Sequence, residues 1–284
     1  MSSYTQSKRR NHRIKLAVVF TLIIPSALFA VLPFVLLVLS SFKTLEEYYA
    51  IDWHFFPHAL QWSNYGDVFR EKYIWRWTFN TFFIAGSVTA ICTISSVIVS
   101  YGFAKFRCKL NSVLFMVLLS TMMVPWAVTM IPSFSIWAKL HLVDTYAPLI
   151  IPNIGGSVFY IFMFRQFMMG IPKELSEAAR MDGCNSFRIL WRIIVPNMIP
   201  AVMTMIIFTV MGQWGDFTGP FIYLSDVTKF TLSLGINMLR PQLNGYTPWP
   251  MLLAASTLFA LPVLFLYFFG TKVFKNGFVV SSLK

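Results

Sequence analysis

Apolar residues in this chain gather into six long runs, and the stretches between the runs carry most of the charged residues. A helix needs about 20 mainly apolar residues, each rising roughly 1.5 Å, to cross about 30 Å of hydrocarbon. The six predicted spans are residues 17–41, 78–104, 114–136, 147–167, 198–211 with its flanks, and 251–269. The pattern predicts an all-α membrane protein with six transmembrane helices.

The first run follows a basic tail, as the apolar part of a signal peptide does. The apolar part of a signal peptide is only about 7–15 residues long, so the longer run here predicts an uncleaved anchor. The predicted organisation is a basic N-terminal tail (1–16), a transmembrane domain (17–272) that includes a charged loop (171–196), and a C-terminal tail (273–284).

Lysine and arginine residues divide unevenly between the two sides of these spans. Sixteen lie in the two tails and in the segments after the second and fourth spans, and seven lie on the other side. The acidic residues divide the opposite way, three against eight. The positive-inside rule therefore predicts that both termini are cytoplasmic. The formal charge of +12 follows this topology, so no nucleic-acid partner is expected.

Composition excludes several classes of function. The chain is 57% hydrophobic with a mean hydropathy of +0.65, which is outside the range of soluble domains. Its spans hold no deep Asp, Glu or Lys, which argues against an ion-coupled carrier or a stand-alone channel. It has no GxxxxGK[ST] loop, so any ATP hydrolysis belongs to another subunit. Its three cysteines are far apart and His54 and His58 lack a third ligand, so no metal site is expected.

The charged loop stands out from its apolar surroundings. Pro172 suits the first turn of a helix, and Glu174 and Glu177 lie where the positive end of the helix dipole favours acidic groups. A short helix from about Pro172 to Met181 is predicted.

Asp182-Gly183 should end this helix, because glycine accepts the left-handed backbone angles of a turn. A second, amphipathic helix is predicted next, stopped by Pro196. Its apolar positions at i, i+3, i+4 and i+7 are Phe187, Leu190, Trp191 and Ile194, with Arg188 and Arg192 on another face.

Two interpretations of this helix-turn-helix are open. Such a segment commonly lies at the membrane interface. The small pair Ala178-Ala179 and the three acidic residues favour a protein partner instead, because small residues allow close approach and anionic lipid prefers basic residues.

The pattern Glu177-Ala178-Ala179-x-x-Asp182-Gly183, followed by Ile193-x-Val195-Pro196, resembles the EAA loop of ABC importer permeases. The resemblance implies a type I ABC importer permease fold, in which this loop is the coupling helix that docks in a cleft of the ATP-binding subunit. The implied coupling residues are Glu177, Ala178, Ala179, Arg180, Met181, Asp182, Gly183 and Phe187. Glu177 would be the acidic anchor, Ala178 and Ala179 the close-contact surface, and Gly183 the bend.

The likeness covers nearly the whole chain and is strongest to the carbohydrate-uptake group, in particular to the smaller maltose-type permease. The motifs that carry it are Ser41-Phe-Lys-Thr44, Trp62-Ser-Asn-Tyr65, Asn80-Thr81, Pro125, Ile131-Pro132, Asp144-Thr-Tyr146 and Phe164-Arg-Gln-Phe167. Gln213-Trp-Gly-Asp-Phe217 is similar to the group's Trp-Asn-x-Phe pattern, but Gly215 and Asp216 replace the common Asn-Asp or Asn-Glu.

Trp214, Asp216 and Phe217 are candidate substrate-binding residues, because sugar sites combine aromatic faces with a few polar groups. Aromatic residues at that depth are also typical of interfacial belts, so both interpretations stay open. By resemblance, the segment from about Asp216 to Pro250 would face a solute-binding protein, and the tail at 276–284 would reach toward the ATPase.

The resemblance implies a permease subunit of the bacterial inner membrane that imports an oligosaccharide or sugar derivative. It is a transport subunit, not an enzyme, with no cofactor on this chain. Its implied partners are a second, homologous permease in a heterodimer, two ATP-binding subunits that hold ATP and Mg, an extracytoplasmic solute-binding protein, and membrane lipid. The alternatives are the same machine for a non-sugar solute, such as a glycerol phosphodiester or a polyol, and a stand-alone carrier or channel.

Overall fold

The computed structural model describes residues 2–52, 54–106, 109–239 and 247–281, with side chains for those between 19 and 268 and for 270. Within these ranges every regular element is helical. The helices are α1 (Ser2–Ser41), α2 (Leu45–Tyr49), α3 (Ser63–Arg70), α4 (Ile74–Lys105), α5 (Asn111–Ser120), α6 (Trp126–Lys139), α7 (Ala147–Ile150), α8 (Val158–Met169), α9 (Lys173–Met181), α10 (Ser186–Ile189), α11 (Val195–Asn197), α12 (Ile199–Gly215), α13 (Thr218–Tyr223), α14 (Leu232–Met238) and α15 (Trp249–Ser281).

Four segments of the described chain are long and apolar enough to cross a membrane. They are Val19–Ser41, Ile74–Lys105, Ala147–Met169 and Trp249–Phe268, which match the first, second, fourth and sixth predicted spans. The third and fifth predicted spans are each a bent pair of helices, Asn111–Met123 with Trp126–Lys139 at 95° and Ser186–Asn197 with Ile199–Gly215 at 81°. The described chain thus has four such spans, or up to six if each bent pair is one span.

Proline accounts for both bends. Val124 precedes Pro125 and is extended, with ψ at 113°, because the proline ring disfavours helical angles in the residue before it. The predicted span 114–136 is therefore made of two helices rather than one continuous helix. Pro200 lies in the first turn of α12, where its missing N–H costs no hydrogen bond, so a new helix begins there.

The chain divides into two compact units, Met1–Arg70 with Arg240–Leu258 and Glu71–Leu239 with Phe259–Lys284. In the first unit, two of the sequence motifs lie against each other. The Asn64 amide donates to the carbonyls of Ser41 and Lys43 at 2.8 and 2.9 Å, and the Ser41 and Tyr65 hydroxyls are 2.7 Å apart. These motifs therefore fix the connection that follows α1.

The second unit is built on α4, which packs most extensively against α8 and α12. One hydrophobic core cluster joins these helices to the charged loop. Its buried members are Cys92, Val97, Tyr101, Phe164, Met168, Ile171, Ala179, Ile189, Leu190, Ile194, Met198, Ala201 and Met205. The charged loop is thus packed onto the main helices of this unit.

Candidate functional site

The charged loop contains the two predicted helical segments and the predicted turn. The first helix, α9, runs from Lys173 to Met181, within a residue of its predicted bounds, and Pro172 is its N-cap residue. Its first turn carries Glu174 and its last turn carries Arg180, which complement the helix dipole. Local sequence preferences therefore favour this helix, and its packing on the core adds to its stability.

Gly183 ends α9 in the left-handed conformation, with φ at 78°. The Gly183 N–H donates to the carbonyl of Arg180 at 3.0 Å, and the Cys184 N–H donates to that of Ala179 at 2.9 Å. This pair of bonds is a Schellman motif, which closes the end of a helix by satisfying its last carbonyls. The next helix then begins at once, because the side chain of Asn185 accepts the N–H of Arg188 at 2.8 Å.

The second helical segment differs from its predicted amphipathic form. It continues from α10 through a π-helix, Leu190–Ile194, into α11, which contains Pro196 and ends at Asn197. Leu190 and Ile194 are buried, and Phe187, which is 67% exposed, lies edge-on to Trp191 with 6.1 Å between the ring centroids, so these two residues do lie on one side. The π-helix, which bonds i to i+5, departs only from the regular 3.6-residue period that the prediction assumed.

One side of α9 is fixed to the rest of the second unit. Ala179 is only 6% exposed and belongs to the core cluster, together with Tyr101 of α4 and Phe164 of α8. Just before α9, the carbonyl of Ile171 lies 3.5 Å from the ammonium of Lys105, the last residue of α4. A displacement of α9 would therefore act directly on α4 and α8.

The opposite side of α9 faces outward from this chain. Glu174, Glu177, Ala178 and Met181, spaced at i, i+3, i+4 and i+7, are all exposed, and Met181 is 89% exposed. Such a spacing places them on one face of the helix. The exposed face of α9, as we name these four residues, combines a small residue, a large apolar side chain and two acids.

The predicted coupling residues divide between the two sides. Those exposed are Glu177, Ala178, Arg180, Met181, Asp182, Gly183 and Phe187. Ala179 alone among them is buried, so its contacts are with the chain's own core. The role of these residues toward a partner stays a prediction, as does that of the tail 276–284, whose side chains lie outside the described residues.

The three predicted substrate residues also occupy different environments. Trp214 is 2% exposed, its indole N–H donates to the carbonyl of Phe259 at 2.9 Å, and its ring packs on Phe259 and edge-on to Phe82. Asp216 and Phe217 are half-buried, and Asp216 accepts an N–H of α13 at 3.1 Å. Solvent reaches Asp216 and Phe217 but barely reaches Trp214.

Asp144, the first residue of the Asp144-Thr-Tyr146 motif, forms an ion pair that the sequence did not predict. Its carboxylate lies 2.6 Å from the Lys229 ammonium. Burial raises the pKa of the Asp144 carboxyl, but hydrogen bonds from the Asp226 and Ser225 N–H groups and from Lys229, with the charge of Lys229, outweigh burial and lower the pKa from 3.8 to about 2. Nothing in the sequence indicated that Asp144 would pair with a lysine 85 residues later in the chain.

Comparisons with known proteins agree with this architecture. A family model described as the binding-protein-dependent transport system inner membrane component matches residues 96–277. The arabinooligosaccharides transport system permease protein AraQ of Bacillus subtilis (strain 168) is 34% identical over 277 residues, which is 96% of each chain. The probable starch degradation products transport system permease protein AmyC of Thermoanaerobacterium thermosulfurigenes is 29% identical over 278 residues, 97% of this chain and 99% of AmyC.

Among solved structures, the fold is similar to a chain in the crystal structure of a bacterial ABC transporter involved in the import of the acidic polysaccharide alginate. The TM-score is 0.83 at 25% sequence identity, covering 93% of this chain and 97% of that chain. The relatives and the solved structure match along almost the whole sequence, and the family model matches its larger part, residues 96–277. The chain therefore belongs to the family of binding-protein-dependent transport system inner membrane components, and it is a multi-pass ABC importer permease with the type I fold.

Proposed function

We propose that this chain is the permease subunit of an ATP-driven importer for an oligosaccharide or sugar derivative, and that the charged loop couples ATP hydrolysis to alternating access. In this proposal both bent helix pairs are spans, giving six, with both termini and the charged loop in the cytoplasm. The sixteen-to-seven division of Lys and Arg residues supports this orientation.

The observation that carries the coupling proposal is the two-sided environment of α9. Its buried side, through Ala179, belongs to the core shared with α4 and α8, and the residues of its exposed face are open to solvent. A partner that grips the exposed face can thus move the core helices as a unit. Packed cores respond to such a displacement by switching between discrete arrangements, which suits exchange between inward and outward access.

A protein fits the exposed face better than a membrane surface does. Glu174 and Glu177 would be repelled by the negative surface potential of the inner leaflet, while Ala178 leaves room for close backbone approach. Met181 offers an adaptable apolar contact of the kind common at protein interfaces. Two ATP-binding subunits, which carry ATP and Mg, would supply the chemistry, and one of them would hold α9 in its cleft.

The remaining partners follow from the family. Its description names binding-protein-dependent transport, which supports a solute-binding protein on the extracytoplasmic side. A homologous permease would complete the pathway as a heterodimer in the lipid bilayer. AraQ and AmyC are named for arabinooligosaccharides and starch degradation products, and these names support an oligosaccharide as the substrate. Asp216 and Phe217 are the candidate substrate contacts on this chain.

The test of coupling reverses one charge on the exposed face. Glu177→Lys should abolish transport by the reconstituted complex while leaving the amount of permease in the membrane unchanged, because it removes the acidic anchor from the ATPase contact. Glu46→Lys is the matched control, since Glu46 is also an exposed acid in a short helix, outside the charged loop. Full transport by Glu177→Lys would refute the proposal.

The substrate class has its own test. The solute-binding protein of the system is screened by thermal shift against oligosaccharides, polyols and glycerol phosphodiesters, and the ligand that stabilises it is then tried in transport. Stabilisation by an oligosaccharide is expected, since a ligand that binds the folded state raises the midpoint temperature at which the solute-binding protein unfolds. Stabilisation by a non-sugar solute alone would overturn the substrate assignment and leave the coupling proposal standing.

A further inference from the structure

The segment that follows α13 and includes the first residue of α14, residues 224–232, lies along the start of α4, and we name it the strap. The Trp77 indole donates to one strap carbonyl at 2.7 Å, and the Asn80 amide donates to two others at 2.9 Å. The Thr81 hydroxyl accepts the N–H of the last strap residue at 2.8 Å. Contacts from just over one turn of α4 therefore tie one edge of the strap to this helix.

Asp144 holds the other edge of the strap. One carboxylate oxygen accepts the N–H groups of Ser225 and Asp226, both at 2.9 Å. The second carboxylate oxygen and the Asp144 carbonyl accept the Lys229 ammonium at 2.6 and 2.8 Å. Charge-assisted bonds of this kind are roughly twice as strong as neutral ones. Asp144, in the connection between α6 and α7, thus holds the strap at Ser225 and Asp226 and again at Lys229.

The backbone of Asp144 is adapted to this task. Its φ is 61°, in the left-handed region that non-glycine residues seldom occupy, and its own N–H donates to the carbonyl of Tyr223 at 2.8 Å. Such a conformation persists only where surrounding contacts determine it, and it is common at functional sites. Ser225, Asp226 and Val227 meanwhile have exposed side chains. The strap therefore presents exposed side chains on a backbone that these hydrogen bonds hold in place.

We propose that Asp144 is a positioning residue, which holds the strap rigid so that a docking solute-binding protein meets a preorganised surface. This inference rests on the proposed function, whose orientation places the strap on the extracytoplasmic side. Docking on a mobile segment would have to order that segment first, and this ordering weakens binding. From Trp77, α4 runs about 42 Å, at 1.5 Å per residue, to Lys105 beside the charged loop. Docking on the strap thus acts on a helix that also contacts the coupling site.

The experiment measures ATPase activity of the complete transporter in vesicles against the concentration of its solute-binding protein, loaded with the ligand found by thermal shift. Asp144→Gly removes all side-chain bonds but accepts the positive φ, and should raise the half-stimulating concentration about tenfold with an unchanged maximal rate. Asp144→Asn keeps an acceptor oxygen and should have a smaller effect. Lys229→Met should have a smaller effect in the Asp144→Gly background than in wild type, because the side-chain ion pair is already broken there and only the bond to the Asp144 carbonyl is left to lose.

His141→Gly is the matched control, since His141 also has a positive φ, at 56°, in the same connection and lies outside the strap contacts. Hydrogen exchange of the strap N–H groups should quicken in Asp144→Gly and stay unchanged in His141→Gly. An unchanged half-stimulating concentration in Asp144→Gly despite faster exchange would overturn the inference. A lower maximal rate of ATP hydrolysis with an unchanged half-stimulating concentration would also overturn the inference, because it would indicate a structural role alone.

Failure of the proposed function is distinguishable from failure of this inference. Wild-type transporter that no loaded binding protein stimulates would refute the proposed function and with it the role of Asp144. Stimulated wild type with normal Asp144 and Lys229 variants would refute the role of Asp144 alone. If the transporter with Asp144→Gly does not assemble, the half-stimulating concentrations of Asp144→Asn and Lys229→Met test the role of Asp144 in the same way.

Discussion

Replacing Gly183 isolates the contribution of one backbone conformation to coupling. A Cβ atom at this position would meet no atom within 4 Å, so a new side chain has room and only the backbone angle opposes it. A left-handed conformation costs an L-residue about 1–2 kcal/mol, which gives the expected cost of Gly183→Ala. Gly183→Asn should cost less, because asparagine occupies this helix-terminating position more readily.

Gly183→Pro should have the largest effect in this series. Proline locks φ near −65°, far from the observed 78°, and it lacks the N–H that bonds the carbonyl of Arg180 at 3.0 Å. A lost hydrogen bond adds about 0.5–1.5 kcal/mol to the strain. The turn then opens, and the exposed face of α9 loses its fixed orientation relative to the core.

The assay compares solute transported with ATP hydrolysed in vesicles that contain the complete transporter. A change of about 1–2 kcal/mol alters the population of the native turn by a factor of about 5–30, so coupling should fall in the order wild type, Asn, Ala, Pro. Gly66→Ala is the matched control, because Gly66 is helical and has equally open space. Wild-type coupling in Gly183→Pro, or equal losses in Gly183→Ala and Gly66→Ala, would refute the reasoning.

The remaining predictions concern the two sides of α9, the substrate candidates and Asp144. Ala179→Leu should lower the thermal midpoint of the purified complex by overpacking a buried position, at about 1–3 kcal/mol, whereas Ala178→Leu should keep the midpoint and reduce transport. Equal thermal midpoints for Ala179→Leu and Ala178→Leu would contradict the assignment of Ala179 to the buried side of α9 and Ala178 to its exposed face. Trp214→Ala should cost about 3–5 kcal/mol of stability, whereas Phe217→Ala should alter KM for the sugar at an unchanged midpoint, and an unchanged KM would exclude it as a contact. The midpoint difference between wild type and Asp144→Asn should be constant from about pH 8 to about pH 5. Since the folded-state pKa is lowered from 3.8 to about 2, this stabilisation is present above 3.8 and lost as the pH falls through about 2. A difference that grows on acidification would contradict the ion pair.

Features with a local cause were predictable from the sequence. The length and apolarity of the spans follow from the thickness of hydrocarbon that each must cross. The end of α9 at Gly183 follows from the backbone angles that glycine accepts, and its start near Pro172 from the missing N–H of proline. The bend at Pro125 has an equally local cause, but the hydropathy pattern concealed it because the residues on both sides are apolar.

Features that depend on distant neighbours required the tertiary structure. Ala178 and Ala179 are the same residue type in adjacent positions, yet one is exposed and the other is in the core, because α4 and α8 cover only one side of α9. Trp214 is buried rather than open to substrate because Phe82 and Phe259 pack on its ring.

The sequence by itself determined that this protein is a helical membrane permease, since hydropathy, charge asymmetry and the pattern around Glu177 need no knowledge of what folds against them. Only the tertiary structure decided which side of α9 is available to a partner and that Asp144 anchors the strap. Both depend on contacts between segments far apart in the chain, and the residue types at one end of such a contact do not specify the residues at the other.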